Sequence, residues 1–380
     1  MTYHPPAAAP AYTATGDLAT APATGIMENI TTWLSPASLE WNEWELRGMA
    51  RAGIDVVMPD YWNNGLPGTN ESSQAALAAL VSARQSLVTK VSTEADARDP
   101  GTPHPPETYG QRLVPRIAMF FDTTTMRNLW MWNRSMTVYN DSAHASEFAN
   151  GPFADLNDSY WQNEFWKCIK RFYSLVNGTD LFTWNGSGVV WLYGGDHFAD
   201  VGTTVLQYCK DRFLATFGLP LLFAGHSDWI KAGIDAVCDW GACYSPKYPA
   251  VKGIPTAAIS PGFYNIGALS VQTPRYIPRD AERYMTEWRR AMDLGAVWIH
   301  LETWNELHEG TGACWTQEHG FHWIDETREA TSAFHARREY SPLLALNTVE
   351  FYFFTSGLAA IIAVFMLASR NQKTGKKKET

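Results

Sequence analysis

The sequence predicts an α/β chain whose main domain is a (β/α)8 TIM barrel. Two observations carry this prediction. Short apolar runs alternate with helical patterns, which is the signature of a parallel sheet built from βα units. Polar side chains recur at the C-terminal end of run after run, where barrels of this class keep their reactive groups. A doubly wound open sheet is the competing arrangement, but no GxGxxG or phosphate loop follows any of the runs. The chain has 380 residues, 46% of them apolar, enough for one large core.

The elements follow in order. An amphipathic helix is expected over about 38–52, capped by Ser35 or Ser38. The first strand is Ile54–Trp62 and the second Val114–Asp122. Then come Val189–Gly194, Leu221–His226, Ala236–Trp240, Thr256–Ser260 and Ala296–Trp304. Further helices are expected over 74–92, 157–176, 204–217 and 279–294. In the last, Tyr284, Trp288 and Met292 share one face; Trp161, Phe165, Ile169 and Phe172 form the core stripe of 157–176. Residues 94–112 are Pro-rich and polar. Residues 123–188 read as a long insertion carrying Trp130, Trp132, Trp161, Trp166 and Trp184, a candidate for building the binding face.

Seven strands are one short of eight, so the barrel is expected to lack its first strand in this chain. Residues 1–37 read as an irregular segment rich in Ala, Pro and Thr, without an apolar signal region. Strand count and missing signal together predict a start that lies upstream. The barrel domain is assigned to 38–340.

Residues 351–368 (FYFFTSGLAAIIAVFMLA) carry no charge and predict a transmembrane helix over 349–369. Arg370, Lys373 and Lys376 to Lys378 follow, so 370–380 is expected to be a cytoplasmic tail. The basic tail argues against a removable lipid-anchor signal. Seven Asn-x-Ser/Thr sequons begin at Asn29, Asn70, Asn133, Asn140, Asn157, Asn177 and Asn185. They agree with a single-pass membrane protein whose large domain is extracellular or luminal.

Net charge is −9, and the folded part has no basic patch, which excludes a nucleic-acid binder. Aromatics are 13% of the chain, including 17 Trp, which suits a cleft where ring faces stack on sugars and equally suits a packed core. Of the five cysteines, Cys168 and Cys209 read as buried core residues. Cys238 and Cys243 are close enough in sequence for a loop disulfide, and Cys314 is the fifth. No spacing reads as a metal site: His308-Glu309 opens like HExxH, but Gly312 stands where the second His belongs. No metal and no cofactor are expected.

The strand ends supply the candidate site. They offer Asp60, Tyr61 and Trp62; Asp122; Asp196 and His197; His226; and Tyr264 and Asn265. The last end is the densest, with Glu302, Trp304, Asn305, Glu306, His308 and Glu309. Cleaving a glycosidic bond needs one protonated carboxyl for the leaving oxygen and one charged carboxylate as base or nucleophile. Glu306 and Glu309 are the catalytic candidates, three residues apart and on one side of a helical turn. Neighbouring carboxylates raise one pKa and split the roles. The other residues named are candidates for substrate binding, and Gly310 lets the loop come close to a ligand.

The run Asn305-Glu306-Leu307-His308-Glu309-Gly310-Thr311 resembles the NEWHEGT signature of glycoside hydrolase family 99, the endo-α-mannosidases, and of related barrel proteins. Ala52-Gly53-Ile54-Asp55 before a strand ending in Tyr61-Trp62 is similar to that family's early segment. The likeness covers roughly 38–325. It implies an eight-stranded barrel and an endo-acting retaining hydrolase. Glu309 would be the acid/base, and Glu306 would assist attack by the sugar's own 2-hydroxyl. Leu307 stands where the family has Trp, so the mannose subsite is not carried over. The leading expectation is a glycoside hydrolase acting on an α-linked glycan or polysaccharide. The alternatives are a glycosyltransferase or transglycosylase on the same scaffold, and a non-catalytic carbohydrate-binding surface protein.

Overall fold

The structure is a computed structural model that describes residues 36–137, 154–176, 178–249, 253–264, 275–306, 309–316 and 319–339. The chain divides into two units, Met1–Thr331 and Ser332–Thr380. Residues 1–35 of the expected irregular segment 1–37, the transmembrane helix and the basic tail lie outside the described residues. Among the described residues no helix is long and apolar enough to cross a membrane.

Helix α1 (Leu39–Arg51) begins where expected: Ser38 Oγ accepts the Trp41 N–H at 3.2 Å, satisfying one of the free amides of the first turn. Its inner face buries Trp44, Leu46 and Met49. All seven expected strands follow, in the expected order. The first is interrupted into β1 (Val56–Val57) and β2 (Asp60–Tyr61), the second into β3 (Arg116–Ile117) and β4 (Met119–Phe121). β5 (Thr183–Trp184) is a short addition, joined to β6 (Ser187–Leu192) by the Asn185-Gly186 turn. Both turn residues have positive φ, 49° and 77°, as a tight hairpin of this sequence demands. Then come β7 (Leu221–Gly225), β8 (Ala236–Val237), β9 (Thr256–Ile259), the antiparallel pair β10 (Phe263–Tyr264) and β11 (Tyr276–Ile277), and β12 (Trp298–Leu301).

Parallel ladders join β1 to β3, β2 to β4, β4 to β6, β6 to β7 and β7 to β8, and separately β9 to β12. Among the described residues no ladder joins β8 to β9 or β12 to β1. Side chains close the circle. One apolar cluster takes Phe120, Trp191, Ala224, Ala236 and Ala258 from five strand positions, with Met58 and Trp298 from the other two. The His300 ring of β12 lies 4.3 Å from Trp191 of β6 and 6.3 Å from Phe120 of β4, centroid to centroid. The last strand therefore faces the second and third across a shared interior, as in a barrel and not in an open sheet.

The helices cover the outside. α2 (Thr69–Arg98) and the short α3 (Tyr109–Leu113) follow β2. Within the expected insertion, α4 (Thr124–Thr137) and α5 (Ser159–Tyr173) are ordinary helices of the barrel wall. Phe165, Ile169 and Phe172 are fully buried, as their stripe predicted; Trp161 of that stripe is half-buried, and Trp166 beside it is buried. α6 (Val205–Phe217), α7 (Ala281–Asp293) and α8 (His322–Glu339) complete the set. Arg84 of α2 is wholly buried; it donates to Asp180 Oδ1 (2.7 Å), Pro115 O (2.7 Å) and Gln111 Oε1 (2.8 Å). This fastens α2 to the second strand and to the approach to β5. α8 returns to α1, where Thr331 Oγ1 donates to Ala52 O (2.6 Å) and Arg51 pairs with Asp325 (2.8 Å). In the second unit, Phe334 packs on His335 at the end of α8.

Candidate functional site at the barrel mouth

Side chains of a strand alternate between its two faces, so the interior cluster tells which residues face the mouth. Register pairs Asp60 with Phe120, Phe120 with Trp191, Trp191 with Ala224 and Ala224 with Ala236. His300 pairs with Ala258. Two residues further along each strand, the next inward layer is Asp122, Tyr193, His226, Cys238, Ser260 and Glu302. Asp60 faces the same interior, one residue pair below Asp122.

Each is held locally. Trp62 Nε1 donates to Asp60 Oδ2 (2.9 Å), leaving the Trp62 ring partly exposed. Asp122 Oδ1 accepts the N–H and hydroxyl of Thr124 (2.9 and 2.6 Å), at the start of α4. The Trp240 N–H donates to His226 Nε2 (2.9 Å). The ring proton of neutral His226 therefore sits on Nδ1, 3.8 Å from Asp228 Oδ2. Burial pushes the His226 pKa down, which keeps the ring neutral.

Glu306 and Glu309 leave from the loop that follows β12. This loop is tied at its neck: Thr303 Oγ1 bonds Thr311 Oγ1 (2.7 Å) and accepts the Glu306 N–H (3.2 Å), and the Ala313 N–H donates to Thr303 O (3.0 Å). Arg279 donates to the carbonyls of Gly310 and Gly312 from outside. Gly310 has φ +62°, and a Cβ there would stand 3.1 Å from Tyr264 Cβ. The close approach foreseen at Gly310 is thus to Tyr264. Asn305 lies in a bend and Glu306 follows it in irregular backbone, not in a helical turn.

The carboxyls of this region feel one another. Glu306 is pushed up to about 8, first by burial and then by the charges of Glu309, Asp60, Glu302 and Asp122. Asp60 is pushed up to about 7 by burial and by Asp122, against the pull of the Trp62 N–H. Asp60 keeps open contact with solvent, yet protein surrounds it on most sides: a side chain on the wall of a recess is both reachable and poorly hydrated. Asp122 is raised by burial, against its bonds from Thr124. Tyr193 is raised to about 12, by burial and by Asp122, Glu309, Glu306 and Asp196. Carboxyls from the first, second and last strand positions therefore converge on one mouth.

Several expected residues sit elsewhere. Tyr61, next to inward Asp60, faces out; it is 3% exposed and meets Phe172 of α5 edge-on at 5.0 Å. Trp304 is buried and its Nε1 donates to Glu45 of α1, so it anchors the loop after β12 outside the mouth. Glu302 points inward but is 1% exposed, and its Oε2 is held by backbone N–H groups. Asp196 stands at the rim with its side chain exposed, beside His197, whose Nε2 meets Thr123 Oγ1 at 3.3 Å. Asn265 and His308 lie outside the described residues. All five cysteines are free and buried, so Cys238 and Cys243 form no loop disulfide. Among the described residues no group of three or more His, Cys, Asp or Glu side chains could hold a metal ion.

Sequence reasoning missed Tyr193 and Trp240. Trp240 is half-buried and packs at 5.4 Å from Phe120, 5.8 Å from Tyr193 and 5.5 Å from His300, capping the interior cluster. The signal was parity: Tyr193 lies two residues after Trp191, and Trp240 four after Ala236.

Comparison with known proteins agrees with the barrel. A solved structure described as a glycoside hydrolase-like protein matches with a TM-score of 0.54 at 14% identity, over 78% of this chain and 86% of that one. The GH99 endo-alpha-mannosidase from Bacteriodes thetaiotaomicron, in complex with bis-tris-propane, matches with a TM-score of 0.49 at 11% identity, over 80% and 87%. No curated protein matches the chain. Residues 108–341, more than half of the 380, match the family model described as "Domain of unknown function (DUF5010)", and the chain belongs to that family.

Proposed function

We propose that this protein is a glycoside hydrolase that cleaves an α-linked glycan or polysaccharide with retention, using Glu306 and Glu309 as its carboxyl pair. The observation that carries the reading is the raised Glu306 carboxyl, crowded by Glu309, Asp60 and Asp122 at the mouth of a parallel barrel. Such crowding divides two carboxyls into one that keeps its proton and one that loses it, which is what glycosidic cleavage requires. In the free site the proton resides on Glu306. It is then the donor to the leaving oxygen, and Glu309 assists at the anomeric carbon. The resemblance to family 99 implies the opposite order, and the pH profile discussed below decides between them. Asp60, Asp122, Tyr193 and the exposed ring of Trp62 supply contacts for sugar hydroxyls and apolar sugar faces. The uncharged run 351–368 and the sequons support a domain anchored at a membrane and facing outward or into a lumen.

The test is digestion of a panel of α-linked glycans by the full chain, produced in a eukaryotic host, with no nucleotide sugar present. New reducing ends, lost in both Glu306→Gln and Glu309→Gln while each variant still melts as a folded protein, are expected. Glycan binding without cleavage, unaffected by either substitution, would leave a carbohydrate-binding protein instead.

A further inference from the structure

Glu302 is the most enclosed carboxylate of the mouth. Its Oε2 accepts two consecutive backbone N–H groups, from Gly241 at 2.9 Å and Ala242 at 2.7 Å. Its Oε1 is buried and has no hydrogen-bond partner. Gly241 has φ +103°, a conformation glycine adopts readily and side chains resist, and it is this conformation that turns both amides toward one oxygen. The bond crosses from the end of β12 to the loop that follows β8.

The same loop is held at its other end. Asp239 Oδ1 accepts the Ser227 N–H at 2.7 Å, and the Trp240 N–H donates to His226 Nε2. Trp240 thus sits between two anchors, with part of its ring packed on the interior cluster and part uncovered. We propose that Glu302 is a positioning residue that fixes the loop 239–243, so that Trp240 forms the floor on which a sugar ring of the substrate stacks. This rests on the glycoside hydrolase reading above. A half-buried indole can offer its uncovered face to the apolar C–H side of a pyranose, and a loop free to shift would blur that contact. The charged and thiol groups that face Glu302 are Glu306, Cys238, Cys243 and Lys247. Backbone N–H groups of the stretch 241–243 are its main attachments, and they lead to Trp240.

The test pairs amide hydrogen exchange with kinetics on a glycan that the full-length wild type cleaves. Gly241 and Ala242 amides are expected to exchange at least about tenfold faster in Glu302→Ala, with the strands unchanged. In that variant kcat/KM should fall at least about tenfold, chiefly through KM, and Trp240→Ala should fall likewise. Glu302→Gln should restore slow exchange and most of the activity, because its amide oxygen accepts the same two N–H groups. Glu302→Met, which fills the space without an acceptor, should behave like Ala and serves if Ala does not fold. Unchanged exchange at 241 and 242 overturns the proposal, as does full activity of Trp240→Ala. A wild type that cleaves nothing in the panel sinks the hydrolase reading itself, and the floor assignment falls with it. An active wild type whose Glu302→Ala and Glu302→Met variants match it sinks the positioning role alone.

Discussion

Gly310 and Tyr264 touch through their backbones: a methyl group at Gly310 would lie 3.1 Å from both the N and the Cβ of Tyr264. With φ at +62°, Gly310→Ala adds about 1–2 kcal/mol of backbone strain to that contact. The loop beside Glu309 must shift to relieve it. We expect kcat/KM to drop at least about tenfold while the melting temperature changes little, checked by kinetics and calorimetry on one preparation.

The pH profile follows from the crowded carboxyls. Glu306 keeps its proton until about pH 8. If it is the proton donor, kcat/KM falls as pH rises through that value. Asp60→Asn removes one of the charges that repel the ionised form, so the alkaline limb should move to lower pH. A profile that instead climbs through pH 8 would hand the donor role to Glu309.

The same carboxyl makes the stability of the fold depend on pH. A carboxyl whose folded pKa lies above its unfolded one stabilises the fold fully below the unfolded value of about 4. That contribution is lost as pH rises through about 8 for Glu306. Glu306→Gln is therefore expected to raise the melting temperature at pH 8 and to leave it nearly unchanged at pH 4. Equal gains at both pH values would mean that the repulsion inferred at the mouth is absent.

Arg84 and Asp180 form a buried pair, with side chains 0% and 6% exposed. Removing one partner strands the other charge in the interior. Arg84→Met is expected to cost about 3–5 kcal/mol in chemical denaturation, while Arg84→Met with Asp180→Leu recovers much of it.

The seven strands were legible because parallel strands buried on both faces are continuous apolar runs. Their end residues were legible because chemistry gathers at one end of such a sheet. Three helices were not seen, the shortest being α3 (Tyr109–Leu113) in the Pro-rich stretch. α4 was hidden in a stretch that reads as a sequon-rich insertion, and α8 lacks a clean stripe, since Thr327, Ala330 and Thr331 fill buried positions along with Trp323 and Ile324. Trp304 was misread because density of polar and aromatic residues in one segment says nothing about which way each points. Its direction depends on Glu45, 259 residues earlier in the chain. Tyr61 was correctable from the period of two alone once Asp60 is turned inward. The mutual repulsion of Asp60, Asp122, Glu306 and Glu309 joins residues that only the closed barrel brings together, and no local pattern encodes it.

The bond from Trp304 to Glu45, with the clasp of Thr331 on Ala52, has a consequence for synthesis. A ribosome delivers α1 first, but the loop it steadies arrives some 260 residues later and the clasp later still. Contacts of such long range close late and slowly. Nascent chains halted before residue 331 should thus hold most of their strands yet leave the loop of Glu306 and Glu309 unsteadied, its geometry settling only once α8 has emerged.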